Sequence, residues 1–418
     1  MLLDLRGSAQ ICMGVFDKAD LIRNARMHSN LAIKNGSVLL PTDKLYPGDV
    51  LIQEGQIRQV GLHLLAQRQI DAAGGIILPG LIDLHTHGIC DISSETGSLA
   101  EYARIEAAFG ATTFYPTLFC SPEEEAGHMR RHLRETDGLW ATPQVGGFRL
   151  EAPYLAVASG GSLQAIVSIA PGTTDFLLVA GEGRVKIWDV SPELPGAPEF
   201  VRQVTQQGVV CSIAHTQASI AQGRAVVEAG AQLATHLFDV FYHTPERKDP
   251  DPDIYAPCLV DYLLAEDRVT CEIIGDGTHV DPLLVEKAFR CKPADRLAFV
   301  TDSNYGAGLA PGRYTLPGDW GHVQIGGPNE GVRLLDRDMM LGGSALTPID
   351  SFRNVIRLFH KDIVTASRVW SRNPARLMGL NKGEIAVGKD ADLIVLDEGL
   401  NLRYTIVGGE VVYRGPDS

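Results

Sequence analysis

The sequence predicts an α/β protein, a (β/α)8 TIM-like barrel with a small β-sandwich formed by the N- and C-terminal segments. Three observations carry this. Through the middle of the chain, short apolar runs alternate with helix-length segments, the pattern of βαβ units around a parallel sheet. Both ends carry a different texture, strand-like runs broken by Gly and Asp turns. Metal-competent side chains close five of the central runs, at the strand tips where barrel enzymes place their chemistry. A length of 418 residues allows two or three domains, or one large barrel with an appendage.

Taken in order, residues 1–29 read either as an amphipathic helix packing on the sandwich or as an extension. From Asn30, LAIKNGSVLL, GDVLIQEGQIRQVG and RQIDAAGGIILPG form short strands punctuated by NG, GD and EG turns. GEIAVGKDADLIVLDEGLNLRYTIVGGEVVYRG repeats that texture at the other end. Neither end makes a stable sheet alone, so residues 30–76 and 385–418 are expected to build one composite sandwich. The barrel then occupies 77–384. Its eight strands are expected at 77–85, 111–119, 145–151, 184–190, 209–215, 232–236, 270–276 and 297–302. Helices between them include LAEYARIEAAFG, PEFVRQVTQQG, SIAQGRAVVEAG and DPLLVEKAFR, each ending near a Gly or a basic residue. LLDRDMMLGGSALTPIDSFRNVIRLF reads as a Gly-rich loop followed by helices that close the barrel. Periodicity alone also allows a doubly wound open sheet; the polar residues at the tips favour the barrel.

Composition excludes several function classes. With 45% hydrophobic and 21% charged residues the chain is neither disordered nor collagen-like. A net charge of −14 without a basic block disfavours nucleic acid and anionic membranes as partners. Seven cysteines without a CxxC pair suit reduced thiols, no apolar run reaches the roughly 18 to 20 residues of a membrane span, and the first residues lack a positive n-region; a cytoplasmic protein is expected.

The polar tips are His85 and His87 after the first strand, Glu151 after the third, His215 after the fifth, His236 after the sixth and Asp302 after the eighth. An H-x-H pair on an extended strand places both imidazoles on one face, about 6 to 7 Å apart along the chain, within reach of one ion. One such pair among 12 histidines is weak by itself. Four histidines and two carboxylates at strand tips are a metal-site pattern. Imidazole and carboxylate donors without thiolate suit zinc, with iron or manganese as alternatives.

PGLIDLHTHG, LEAPYL, SIAHTQAS, ATHLFDVFYHTPER, IIGDGTHVDPLLVEKAFR, VTDSNYGAG and NPARLMGL through GKDADLIVLD together resemble the amidohydrolase superfamily, specifically the N-acetylglucosamine-6-phosphate deacetylases. The resemblance runs from about Asn30 to the C-terminus and implies a hydrolase of non-peptide amides. It assigns Glu151, His215 and His236 to one metal ion, with His85 and His87 able to hold a second. It makes Asp302 the general base, taking a proton from a metal-bound water that attacks the amide and passing it to the leaving nitrogen. It puts His279 and the position of Asp239 against the substrate, aligns Arg247 with a basic residue often given to the neighbouring subunit's site, and so implies a homodimer acting on a small molecule. Three positions depart from the family pattern: Ala152 replaces a glycine, Leu163 falls where a histidine is expected after Gly160, Gly161 and Ser162, and Asp239 replaces an asparagine. A carboxylate about 4 Å from a phosphate costs about 4 kcal/mol at an effective dielectric of about 20. The expected substrate is an N-acetyl amino sugar, the 6-phosphate form first. Another N-acyl amine or a cyclic amide, and a catalytically inactive metal- or sugar-binding barrel, are the alternatives.

Overall fold

A computed structural model describes residues 30–135, 144–159, 163–246, 255–316 and 321–416. The expectation for residues 1–29 lies outside them. Eight parallel strands form the barrel: β1 (Leu81–Thr86), β2 (Ala111–Leu118), β3 (Phe148–Leu150), β4 (Val185–Val190), β5 (Val210–Ile213), β6 (Leu233–Ala234), β7 (Thr270–Ile274) and β8 (Leu297–Val300). Each hydrogen-bonds to the next in chain order. The ring closes where the chain just past β8 meets the end of β1, through a parallel bridge between Thr86 and Ser303 and an Asp302 N–H bond of 2.9 Å to the His85 carbonyl.

Strand alternation sorts the side chains. Phe148, Leu150, Trp188, Val190, Cys211, Ile213, Cys271, Ile273, Leu297 and Phe299 belong to the core shared with the surrounding helices. Tyr115, Ile187, Leu233, Ala298 and Val300 fall into a separate cluster with Leu346. The helices start where local chemistry satisfies their first N–H groups. Ser219 and Gln222 form a capping box at Ile220–Ala229, and the Asp281 carboxylate accepts from the Leu283 N–H at Pro282–Cys291.

Both termini share one eight-stranded sheet. Leu31–Leu39, Leu45–Gln53, Gln56–Gly61, Arg68–Asp71 and Ile76–Pro79 come from the N-terminal part, and Leu393–Leu396, Leu402–Val407 and Glu410–Arg414 from the C-terminal part. The seam is the antiparallel pairing of Ile76–Pro79 with Leu393–Leu396. Across it, Leu393 and Val395 pack with Leu31, Ile33 and Val50, while Ile394 and Leu396 face the barrel core.

Two details differ from the sequence reading. The run 77–85 is two strands: Ile76–Pro79 serves the terminal sheet and Leu81–Thr86 the barrel. They part at Gly80, where a Cβ would lie 2.2 Å from the Thr112 side chain. After β8, the segment read as a loop before helices holds an antiparallel meander of Gly312–Leu316, Gly321–Ile325, Val332–Leu334 and Met340–Leu341; the helix Pro348–Arg357 follows it.

Candidate metal centre

His85, His87, Glu151, His215, His236 and Asp302 meet at the C-terminal mouth of the barrel, all buried except His87, whose side chain is 15% exposed. Three of them sit in strained turns at strand ends, with φ of 46° at His215, 27° at His236 and 47° at Asp302. Non-glycine residues keep left-handed backbone where the surroundings over-determine it, and such positions concentrate at functional sites.

The donors fall into two sets that share Glu151. In the first, His87 Nε2 lies 2.9 Å and His85 Nε2 3.2 Å from Glu151 Oε2, the two imidazole nitrogens are 3.1 Å apart, and Asp302 Oδ1 is 3.3 and 3.4 Å from them. In the second, Glu151 Oε1 lies 3.0 Å from His215 Nε2 and 3.3 Å from His236 Nε2. Four donors at 2.0 to 2.1 Å from a tetrahedral zinc stand about 3.3 Å apart along each edge, so both sets have the spacing of a ligand shell. The three donors of each group, His85, His87 and Asp302 in one and Glu151, His215 and His236 in the other, lie within 4.8 Å of one another.

The far ring nitrogens fix the tautomers. His215 Nδ1 donates to the Val157 carbonyl at 2.8 Å and His236 Nδ1 to the Asp239 carbonyl at 3.2 Å, leaving each Nε2 lone pair free for an ion. The charge balance is that of a cation site. Burial alone would raise the carboxyls of Glu151 and Asp302, yet the surrounding imidazoles hold both well below the usual carboxylate range. Burial would likewise lower His87 and His236, but the bonds to Asp302 and Glu151 at His87, and to Glu151 at His236, push both up to about 10. The two carboxylates demand positive charge from what surrounds them, which a divalent ion would supply with the same geometry.

The other residues singled out from sequence are placed unevenly. His279 Nδ1 bonds to Asp276 Oδ2 at 2.6 Å. Burial would lower its pKa, but Asp276, with Asp239 and Asp302 beyond it, raises it. The Asp239 carboxylate raises the pKa of both His236 and His279, and its backbone carbonyl accepts from His236 Nδ1. Leu163 is 80% exposed. Arg247, Gly160, Gly161 and Ser162 lie outside the described residues.

The comparisons agree with this architecture. Residues 296–412 match the model of the amidohydrolase family. An N-acetylglucosamine-6-phosphate deacetylase from Danio rerio is 30% identical over 396 residues, 90% of this chain and 95% of the relative. The chain belongs to the N-acetylglucosamine-6-phosphate deacetylase family. Among solved structures of that family, an aspartate-to-alanine mutant from Mycobacterium smegmatis in complex with N-acetyl-D-glucosamine-6-phosphate superposes with a TM-score of 0.79 at 27% identity, covering 92% of this chain and 99% of that one. The Thermotoga maritima enzyme gives 0.78 at 27% identity, covering 92% and 100%.

This family member also carries a charged layer in its barrel that the sequence reading missed. Arg149, Asp189 and Glu272 are wholly buried one layer below the donors. The available signal was charge inside barrel strands, Arg149 in FRL, Asp189 in VKIWDV and Glu272 in TCEII, since a buried charge needs a partner.

Proposed function

We propose that this protein is a metal-dependent deacetylase of N-acetyl amino sugars, with N-acetylglucosamine-6-phosphate as its first substrate. The observation that supports it most is the convergence of six donor side chains in two sets around Glu151, in a chain of this family. His85, His87 and Glu151 would hold one divalent ion, with Asp302 beside it as the base, and Glu151, His215 and His236 a second; zinc suits the donor set, with iron or manganese as alternatives. A bound ion supplies Lewis acidity, polarising the amide carbonyl and lowering the pKa of water from 15.7 to about 7.

The chain's own residues do the rest. Asp302 is kept ionised by the imidazoles around it, the state a proton acceptor requires. It takes a proton from the attacking water and gives it to the leaving nitrogen as the C–N bond breaks, so that acetate and a free amine result. His279, propped by Asp276, offers its remaining ring N–H to an anionic or carbonyl oxygen of the substrate, and Asp239 and Arg247 complete the substrate contacts. A cytoplasmic homodimer is part of this reading; no helix among the described residues is long and apolar enough to cross a membrane.

One observation favours a second reading. The Asp239 carboxylate, near enough to His279 to raise its pKa, opposes a phosphate and suits an unphosphorylated sugar or another N-acyl amine. The test is acetate release by metal-loaded protein from N-acetylglucosamine-6-phosphate, N-acetylglucosamine and a panel of N-acyl amines. Preference for the phosphorylated sugar supports the first reading, and activity confined to the rest of the panel supports the second. In either case Asp302→Asn should retain metal and lose about a hundredfold or more of turnover; undiminished turnover would remove Asp302 from its role as base.

A further inference from the structure

We propose that Arg149 and Glu272 are a positioning pair that holds His85 in place as a ligand, and so set how tightly the ion facing His85, His87 and Asp302 is bound. The inference rests on the metal reading above. Arg149 stands two residues before Glu151 on the same face of its strand, so it points into the barrel directly beneath the bridging carboxylate. Its guanidinium grips Glu272 with two bonds, Nη1 to Oε1 at 2.7 Å and Nη2 to Oε2 at 3.1 Å. The remaining contacts lock the fork: Nη2 to Asp189 at 3.0 Å and to the Thr235 hydroxyl at 2.9 Å, Nη1 to the Leu84 carbonyl at 3.1 Å.

Held this way, Glu272 Oε2 reaches both donor sets. It lies 3.7 Å from His85 Nδ1 and accepts the backbone N–H of His236 at 3.4 Å. His85 Nδ1 is fully buried and has no hydrogen-bond partner among the described residues. His215 and His236 anchor their far nitrogens on backbone carbonyls; for His85 the facing group is the Glu272 carboxylate. A ligating histidine ordinarily gives its other N–H to such a carboxylate, which fixes the tautomer and raises ligand basicity. A buried ion pair is weak grounds for stability by itself, so its place beneath a ligand calls for another role.

The test titrates zinc and cobalt(II) into metal-stripped wild type and Glu272→Gln, reading stoichiometry, affinity and the visible spectrum of the cobalt form. Glu272→Gln should bind one equivalent like the wild type and the second about tenfold to a hundredfold more weakly, with a changed cobalt spectrum. Arg149→Lys, which keeps the charge but loses the two-pronged grip, should shift the same equivalent in the same direction and serves if Glu272→Gln does not fold. Asp392→Asn, which breaks the buried Lys382–Asp392 pair elsewhere in the chain, should lower stability while holding both ions. Two equivalents bound at wild-type affinity by Glu272→Gln, or by Arg149→Lys where only that variant folds, would overturn the pair's role. A wild type that takes up fewer than two equivalents would instead overturn the metal reading beneath it.

Discussion

At the scale of single residues, Glu151 has the largest expected effect because its two oxygens serve different donor sets. Replacing one of them by an amide nitrogen, as in Glu151→Gln, removes an acceptor and a charge from a site where His85 and His87 stand 3.1 Å apart and His215 lies 3.0 Å from the carboxylate. Bound metal should fall at both positions, read by elemental analysis after gel filtration. Turnover should drop by about a hundredfold or more, the scale of losing several kcal/mol of charge stabilisation. A variant that retains two ions would place Glu151 outside the ligand set. The six tip residues were legible because imidazoles and carboxylates at the ends of apolar strands have few structural uses. Glu272 was not, since its neighbour His85 lies 187 positions away and only closure of the ring brings the two together.

At the scale of elements, what the sequence makes plain is what local chemistry decides. Ile220–Ala229 begins at its Ser219 cap and ends at Gly230, whose φ of 122° favours glycine, and both signals stand in the sequence. The meander after β8 is harder to read because its last hairpin turns through Asp338 and Met339, at φ of 49° and 62°, with no Asn-Gly or Asp-Gly to announce it. Its strand Val332–Leu334 has three residues, too few for alternation to register.

The helix Pro122–Glu135 carries a pH prediction. His132 is fully buried against the chain after β1, its Nε2 2.5 Å from the Ser94 carbonyl. Burial, reinforced by Arg131 and His128, pushes its pKa down to about 4 despite that bond. The folded state therefore resists a proton that the unfolded chain accepts near 6.5. The associated stability is present above that value and is lost as pH falls toward 4, by up to about 3 kcal/mol. Denaturant unfolding of wild type and His132→Leu at pH 7 and pH 4.5 should show the variant losing less stability over that interval. Equal losses would mean that the imidazole does not report the packing of this helix.

At the scale of the whole molecule, the two sheets are coupled through one short stretch. Ile76–Pro79 is pinned by Leu393–Leu396 and runs through Gly80 into β1, which delivers His85 and His87. The donors themselves come from β1, β3, β5, β6 and β8, so an ion bridging them ties together strands far apart in sequence and around the ring. Binding that favours only the folded state stabilises it by about 2.7 kcal/mol when the free ion stands at about 100 times its dissociation constant. For a chain of this size that corresponds to a melting shift of roughly 3 °C. Removing metal with a chelator should lower the melting temperature by about that amount. Leu393→Ala, which opens a cavity in the terminal sheet, should cost about 2 to 5 kcal/mol by itself. Its alanine lies on the face away from the barrel core, so the two effects should add within about 0.5 kcal/mol. A chelator that leaves the melting temperature of wild type unchanged would mean that no ion ties these strands together in the folded protein. A non-additive result would instead show that the terminal sheet sets the geometry of the donors on β1.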